Sequence, residues 1–183
     1  YKKIYGEETE IKSEEDFRQK IKEEIASNLL NSSERKLTID TRNLLIEKVN
    51  PELPGAFLKR WLKETNKGLT DEQIENEFED FLKDLKWQVI KDFFVRENEL
   101  SVEDEEGLEF AKEVAYAQYS QYGIHNVPEE QLESFAKMIL EKPEEKEKLY
   151  NKLIEDKVIE LVKNKITLED KEVTQEEFNE LLK

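Results

Sequence analysis

Apolar residues in this chain return at intervals of three and four, and charged residues fill most of the gaps between them. Phe17, Ile21, Ile25 and Leu29 recur at spacing four, and Leu149, Leu153, Val158, Leu161 and Val162 repeat the habit toward the other end. A helix turns by about 100° per residue, so this spacing gathers side chains into one stripe, whereas a strand sends alternate ones to opposite faces. The chain is thereby restricted to amphipathic helices with narrow apolar faces and heavily solvated backs. Hydrophobic residues make up 37% of it and charged residues 40%, which leaves no room for broad buried faces. Five glycines and four prolines are too few for the many tight turns of a sheet protein. With 183 residues it is still long enough to bury a real core.

Helix boundaries are written in the same residues. Ser13-Glu14-Glu15-Asp16 places a hydroxyl three residues before a carboxylate, and the helix it opens is predicted to reach Val49, with a disturbance near Ser32-Ser33. Asn50-Pro51 and Leu53-Pro54 end it, because the residue before proline is pushed out of helical geometry. Pro54 opens a second helix carrying Phe57, Leu58, Trp61 and Leu62, and Gly68 ends that region. Thr70-Asp71-Glu72-Gln73 caps a third, running to about Asn98. Ser101 is expected to cap a fourth that stops at Gly123; Pro128 opens a fifth and Pro143 a sixth, running to about Ile166. Thr167 to Val173 reads as extended, and Thr174-Gln175-Glu176-Glu177 caps a last short helix. Lys2 to Ile11 lacks any period and reads as linker.

Candidate chemistry is sparse. The single histidine, His125, lies in a turn with no Ser, Cys or second His near it in sequence, and reads as a solvated loop residue. A di-iron carboxylate bundle needs two Glu-x-x-His pairs, which one histidine cannot supply. Val102 to Glu113 imitates a calcium loop through Asp104, Glu106, Gly107 and Glu113, but valine cannot coordinate from the first ligand position. There is no cysteine for a disulfide or thiolate site, and no glycine-rich phosphate loop. The expectation is no catalytic residue, no metal and no cofactor. A formal net charge of −16 opposes binding to nucleic acid or to an anionic membrane. No apolar run is long enough for a membrane span, and no signal peptide is visible. The chain opens on Tyr1-Lys2-Lys3 and is expected to be a fragment.

The informative residues are apolar ones outside the main stripes. In the third helix Ile74, Phe78, Phe81, Leu82, Leu85, Val89 and Phe93 share one sector, while Trp87, Ile90 and Phe94 fall near the opposite side. Either that half is sandwiched between two neighbours or it exposes an apolar strip. In the fourth helix Leu108, Ala111, Val114, Ala115, Tyr119 and Tyr122 form one face, and Phe110 and Tyr116 point elsewhere. Tyrosine suits a surface that is alternately wet and covered, although core packing is the commoner role for any one such ring.

Three stretches carry a resemblance. Leu53-Pro54-Gly55-Ala56-Phe57-Leu58 follows the long first helix. Phe93-Phe94-Val95-Arg96-Glu97-Asn98-Glu99-Leu100 hands a long helix over to an acidic one. Val158 to Ile166 continues through Glu172-Val173-Thr174 to Glu177-Phe178. In this order they resemble the C-terminal domain of trigger factor, a bacterial chaperone that meets nascent chains at the ribosome exit.

The resemblance implies an all-α fold in which a long back helix (13–49) is followed by two arms (50–100 and 101–166) forming a cradle, with a C-terminal segment over 167–183. It implies a cytoplasmic, ATP-independent chaperone that holds unfolded or nascent polypeptides, in a family tied to protein folding and cell division. By position its client contacts would be Trp61, Trp87, Phe94, Val114, Tyr119, Tyr122 and Met138. The family's ribosome-docking domain and its peptidyl-prolyl isomerase domain are absent from this sequence, so a ribosome would be reached only through the missing N-terminal domain. Residues 1–12 would be the remnant of a linker, homodimerisation stays open, and Gln121 to Val127 match nothing in the family pattern. Two further readings stand beside this one. They are the helical part of a periplasmic parvulin-type foldase, and a helical adaptor that binds one folded partner.

Overall fold

The computed structural model describes residues 13–124 and 126–182, so the linker expected over 1–12 and the reading of His125 lie outside the described residues. Seven helices and no strand occur among them: α1 Glu14–Val49, α2 Gly55–Thr65, α3 Asp71–Glu97, α4 Asp104–Gln121, α5 Glu129–Leu140, α6 Pro143–Lys163 and α7 Gln175–Leu181. Their contacts divide the chain into two compact units, one of Tyr1–Leu44 with Lys171–Lys183 and one of Leu45–Asp170.

The predicted caps form as hydrogen bonds. The Asp16 N–H donates to Ser13 Oγ at 3.0 Å and the Ser13 N–H to Asp16 Oδ2 at 2.8 Å. Thr70 with Gln73 and Thr174 with Glu177 make the same reciprocal pair at the starts of α3 and α7. The fourth helix departs from expectation, since its cap is Glu103 and not Ser101. There the Glu103 N–H donates to Glu106 Oε2 at 2.9 Å, and the Ser101 hydroxyl donates instead to Glu103 Oε1 at 3.1 Å. From Asp104 onward the stretch that imitated a calcium loop is helix. No break interrupts α1 at Ser32-Ser33, where the Ser32 hydroxyl donates to the Asn28 carbonyl one turn back at 2.9 Å and is thereby satisfied within the helix. The sixth helix stops at Lys163, three residues short of Ile166.

Within the second unit, Ile46 from α1, Trp87 and Ile90 from α3, and Val158 and Ile159 from α6 form the main core. The indole N–H of Trp87 donates to Glu155 Oε1 at 3.1 Å, so its one polar atom is satisfied from α6. Helix α3 does not keep a single apolar face. Its first half buries Ile74 and Phe78, and its second half buries Trp87 and Ile90 on the other side. The cause is a change of neighbour: α3 packs on both α2 and α6, and the Trp87 side meets the α6 residues of the core. Val89 and Phe93, expected in the core sector, are left exposed.

Helices α4 and α5 form a tight pair whose seam includes Ala111, Ala115 and Ala136, all without solvent exposure. Small side chains let the two backbones approach closely. Helix α6 packs closely on α3, α4 and α5, and no helix of the α2–α3 pair packs backbone to backbone against one of the α4–α5 pair among the described residues. The second unit therefore has two hairpins whose shared close-packed neighbour is α6.

Candidate binding surface

The first hairpin, α2–α3, is held by charge as well as by apolar contact. Lys63 pairs with Asp71 at 2.6 Å, and the Lys59 ammonium lies 4.7 Å from the Phe78 ring centre. This packing leaves one face of α2 uncovered. Phe57 and Trp61, one turn apart, are exposed there, Trp61 at 47%. On α3 the uncovered pair is Val89 and Phe93, again one turn apart, with Phe93 at 55%.

One expected contact is corrected by this geometry, and a second is partly covered. Trp87 is 2% exposed and belongs to the core, so it is not offered at the surface. Phe94 packs half-buried against that same core, its ring edge-on to Phe93 at 6.0 Å. The outward position falls to Phe93, which the stripe had assigned to the interior. Both reversals have one origin, the change of neighbour along α3.

On the second hairpin Tyr122 is 84% exposed at the end of α4, and Met138 on α5 is 53% exposed. Tyr119 is half-buried, with its ring 5.8 Å from that of Phe135. Gly123 closes α4 with φ 75°, a left-handed turn that suits glycine, and leaves Tyr122 and Ile124 facing solvent.

Val114 has a different setting. It lies in a groove of ≈ 390 Å³ lined by Phe110, Val114 and Gln118 of α4, Phe135 and Ile139 of α5, and Leu149 of α6. Lys142, Glu145, Lys148 and Lys152 complete the lining. Of this groove only Val114 stood among the expected contacts. The i, i+4 spacings of Phe110 with Val114 and of Phe135 with Ile139 could have indicated it, but nothing in one sequence says that those two pairs converge. The Glu145 carboxylate accepts from Lys148 at 2.9 Å and holds the lysine pKa above its usual value, mainly through that hydrogen bond. Elsewhere on the hairpin, Lys112 bridges Glu109 at 2.6 Å and Glu129 at 2.7 Å, tying α4 to α5 and lifting its own pKa above the usual lysine range.

In the first unit Phe17, Ile21 and Ile25 line an open recess of ≈ 600 Å³ along α1, with Glu14, Arg18 and Lys22 around it. No group of acidic or histidine side chains suited to hold a metal occurs among the described residues, and none of their helices is long and apolar enough to cross a membrane.

Residues 33–182 match the protein family described as "Probable trigger factor, C-terminal domain". The chain belongs to the trigger factor C-terminal domain family. The match takes in all three stretches noted in the sequence, from Leu53 through Phe178, and it begins inside α1. The all-helical architecture is consistent with that family, and membership implies chaperone-type function. No curated protein and no solved structure matches the chain. In this trigger factor C-terminal domain the candidate binding features are the uncovered apolar faces on α2, α3, α4 and α5 and the groove at α4–α6.

Proposed function

We propose that this domain holds unfolded or nascent polypeptides in the cytoplasm, without ATP and without catalysing a reaction. The observation that carries this reading is the dispersal of large apolar side chains over both hairpins, with Phe57, Trp61 and Phe93 on the first and Tyr122 and Met138 on the second. A fixed folded partner would be served by one contiguous patch. Separate patches on different hairpins suit a chain able to contact several of them at once. The energetics agree: micromolar holding needs roughly 8 kcal/mol, each well-covered large side chain gives roughly 1.5–3 kcal/mol, and association costs at least ~4 kcal/mol. About half a dozen contacts meet that sum, and one or two do not.

The test is light scattering from a denatured, aggregation-prone protein diluted into buffer with stoichiometric amounts of the chain. Suppression is expected, and it should weaken when Trp61, Phe93, Tyr122 and Met138 are replaced together by serine with helicity retained. A variant as effective as the parent, or a parent inactive at several-fold excess, would refute holding through these side chains.

A further inference from the structure

We infer that the groove between α4, α5 and α6 receives a particular class of client segment: large apolar side chains flanked by aspartate or glutamate. The inference rests on the holding function proposed above and names which part of a client this site takes. The floor is apolar and half-open, built from Phe110, Val114, Phe135, Ile139 and Leu149. Its volume of ≈ 390 Å³ lies within the usual range of ligand sites and accommodates one or two large side chains.

The rim is richer in lysine than the acidic molecule as a whole. In a chain of formal net charge −16, three of the four charged residues lining this groove are lysines. Lys142 has no ion-pair partner among the described residues. Lys148 and Lys152 are engaged only with carboxylates of their own helix, Glu145 at 2.9 Å and Asp156 at 2.6 Å. All three are exposed, so a client carboxylate can share or replace those partners at little cost. Lysine stems also extend the apolar wall while their ammonium groups remain in water. A segment with an apolar centre and acidic flanks therefore meets complementary chemistry at both levels. A segment with basic flanks meets like charge here, even though the overall field of the protein attracts it.

The absence of cysteine makes the location directly measurable. In the full chain, Gln118→Cys on the groove wall carries an environment-sensitive dye as the sole thiol label. Three short peptides share one Leu-Phe-rich core and differ only in flanks of Asp, Ser or Lys. Anisotropy of labelled peptides on unlabelled protein gives affinity, and the emission shift of the dye on the wall reports where they bind. The Asp-flanked peptide is expected to bind ~5-fold tighter than the Lys-flanked one at low salt, with the gap closing in high salt. Lys142→Gln, Lys148→Gln and Lys152→Gln together should erase that order while far-UV circular dichroism is unchanged. Equal or tighter binding of the Lys-flanked peptide overturns the inference, and so does an order that survives the triple variant. Should no peptide move the dye while aggregation is still suppressed, the groove assignment falls and holding stands. Loss of both peptide binding and suppression overturns the two together.

Discussion

Gly107 is a helix-interior glycine whose replacement should have opposite effects in two backgrounds. In an ordinary helix, Gly→Ala gains ~0.8–1 kcal/mol, because alanine loses less backbone entropy on folding. Here Gly107 lies where α4 meets α6, and a Cβ built on it would sit 2.6 Å from the Tyr150 hydroxyl oxygen and 2.7 and 2.8 Å from ring carbons. Ordinary contact begins near 3.4 Å, so the ring must retreat by about 0.8 Å. Retreat pulls the hydroxyl from Asp104 Oδ1, to which it donates at 3.0 Å. Overpacking of this kind costs ~1–3 kcal/mol, and the lost hydrogen bond costs ~0.5–1 kcal/mol at so exposed a site. After the helix gain is subtracted, Gly107→Ala should destabilise by ~1–2 kcal/mol. In a Tyr150→Ala background the obstruction is gone, and Gly107→Ala should stabilise by ~0.5–1 kcal/mol. Urea unfolding of the four proteins, followed by far-UV circular dichroism, closes the cycle, with an expected coupling of ~2 kcal/mol. A parent chain stabilised by Gly107→Ala, or a coupling below ~0.5 kcal/mol, would show that Tyr150 does not occupy the space above Gly107.

Three more outcomes are expected. Trp87→Ala should cost ~3–5 kcal/mol in denaturant unfolding, while Trp61→Ala, on an uncovered face, should cost under ~1 kcal/mol. Near-equal losses would contradict the assignment of Trp87 to the core and Trp61 to the surface. Glu99 holds φ 51° in the turn after α3, where the Leu100 N–H reaches the Val95 carbonyl at 3.0 Å. Glu99→Gly should raise stability by ~0.5–1 kcal/mol by relieving that left-handed conformation, and an unchanged urea midpoint would argue against it. The Glu106 carboxyl is held below its ordinary 4.5, first by the Lys157 hydrogen bond and then by the Glu103 N–H. A depressed carboxylate contributes stability that is complete above 4.5 and is lost as pH falls through the folded value. An acid titration of stability should therefore decline less steeply in Glu106→Gln than in the parent. Identical slopes would mean that the Lys157 contact is not made in solution.

Local structure was legible in the sequence wherever it depended on neighbours a few residues away. The reciprocal caps at Ser13, Thr70 and Thr174 require only a hydroxyl and a side chain three positions later, and all three form. The fourth start was misread because two boxes compete there, and Glu103 with Glu106 prevails over the Ser101 hydroxyl. What single-helix periodicity could not supply was the identity of the neighbour. A helical wheel assumes one buried side along the whole length, and α3 changes sides partway. That change places Trp87 inward and Phe93 outward and so alters which residues lie at the surface. The α4–α6 groove was hidden for the same reason, since its walls come from three helices and converge only after packing.

Helix α6 is the element that both hairpins of the second unit share. Two substitutions remote from α6 and from the 98–103 connection, one in each hairpin, should add with little cross-term, because distant sites without shared partners are nearly independent. Each pair is expected to open on its own while the other keeps its amide protons protected, which hydrogen exchange would read. Substitutions kept clear of that shared helix should therefore rework one hairpin with little effect on the other.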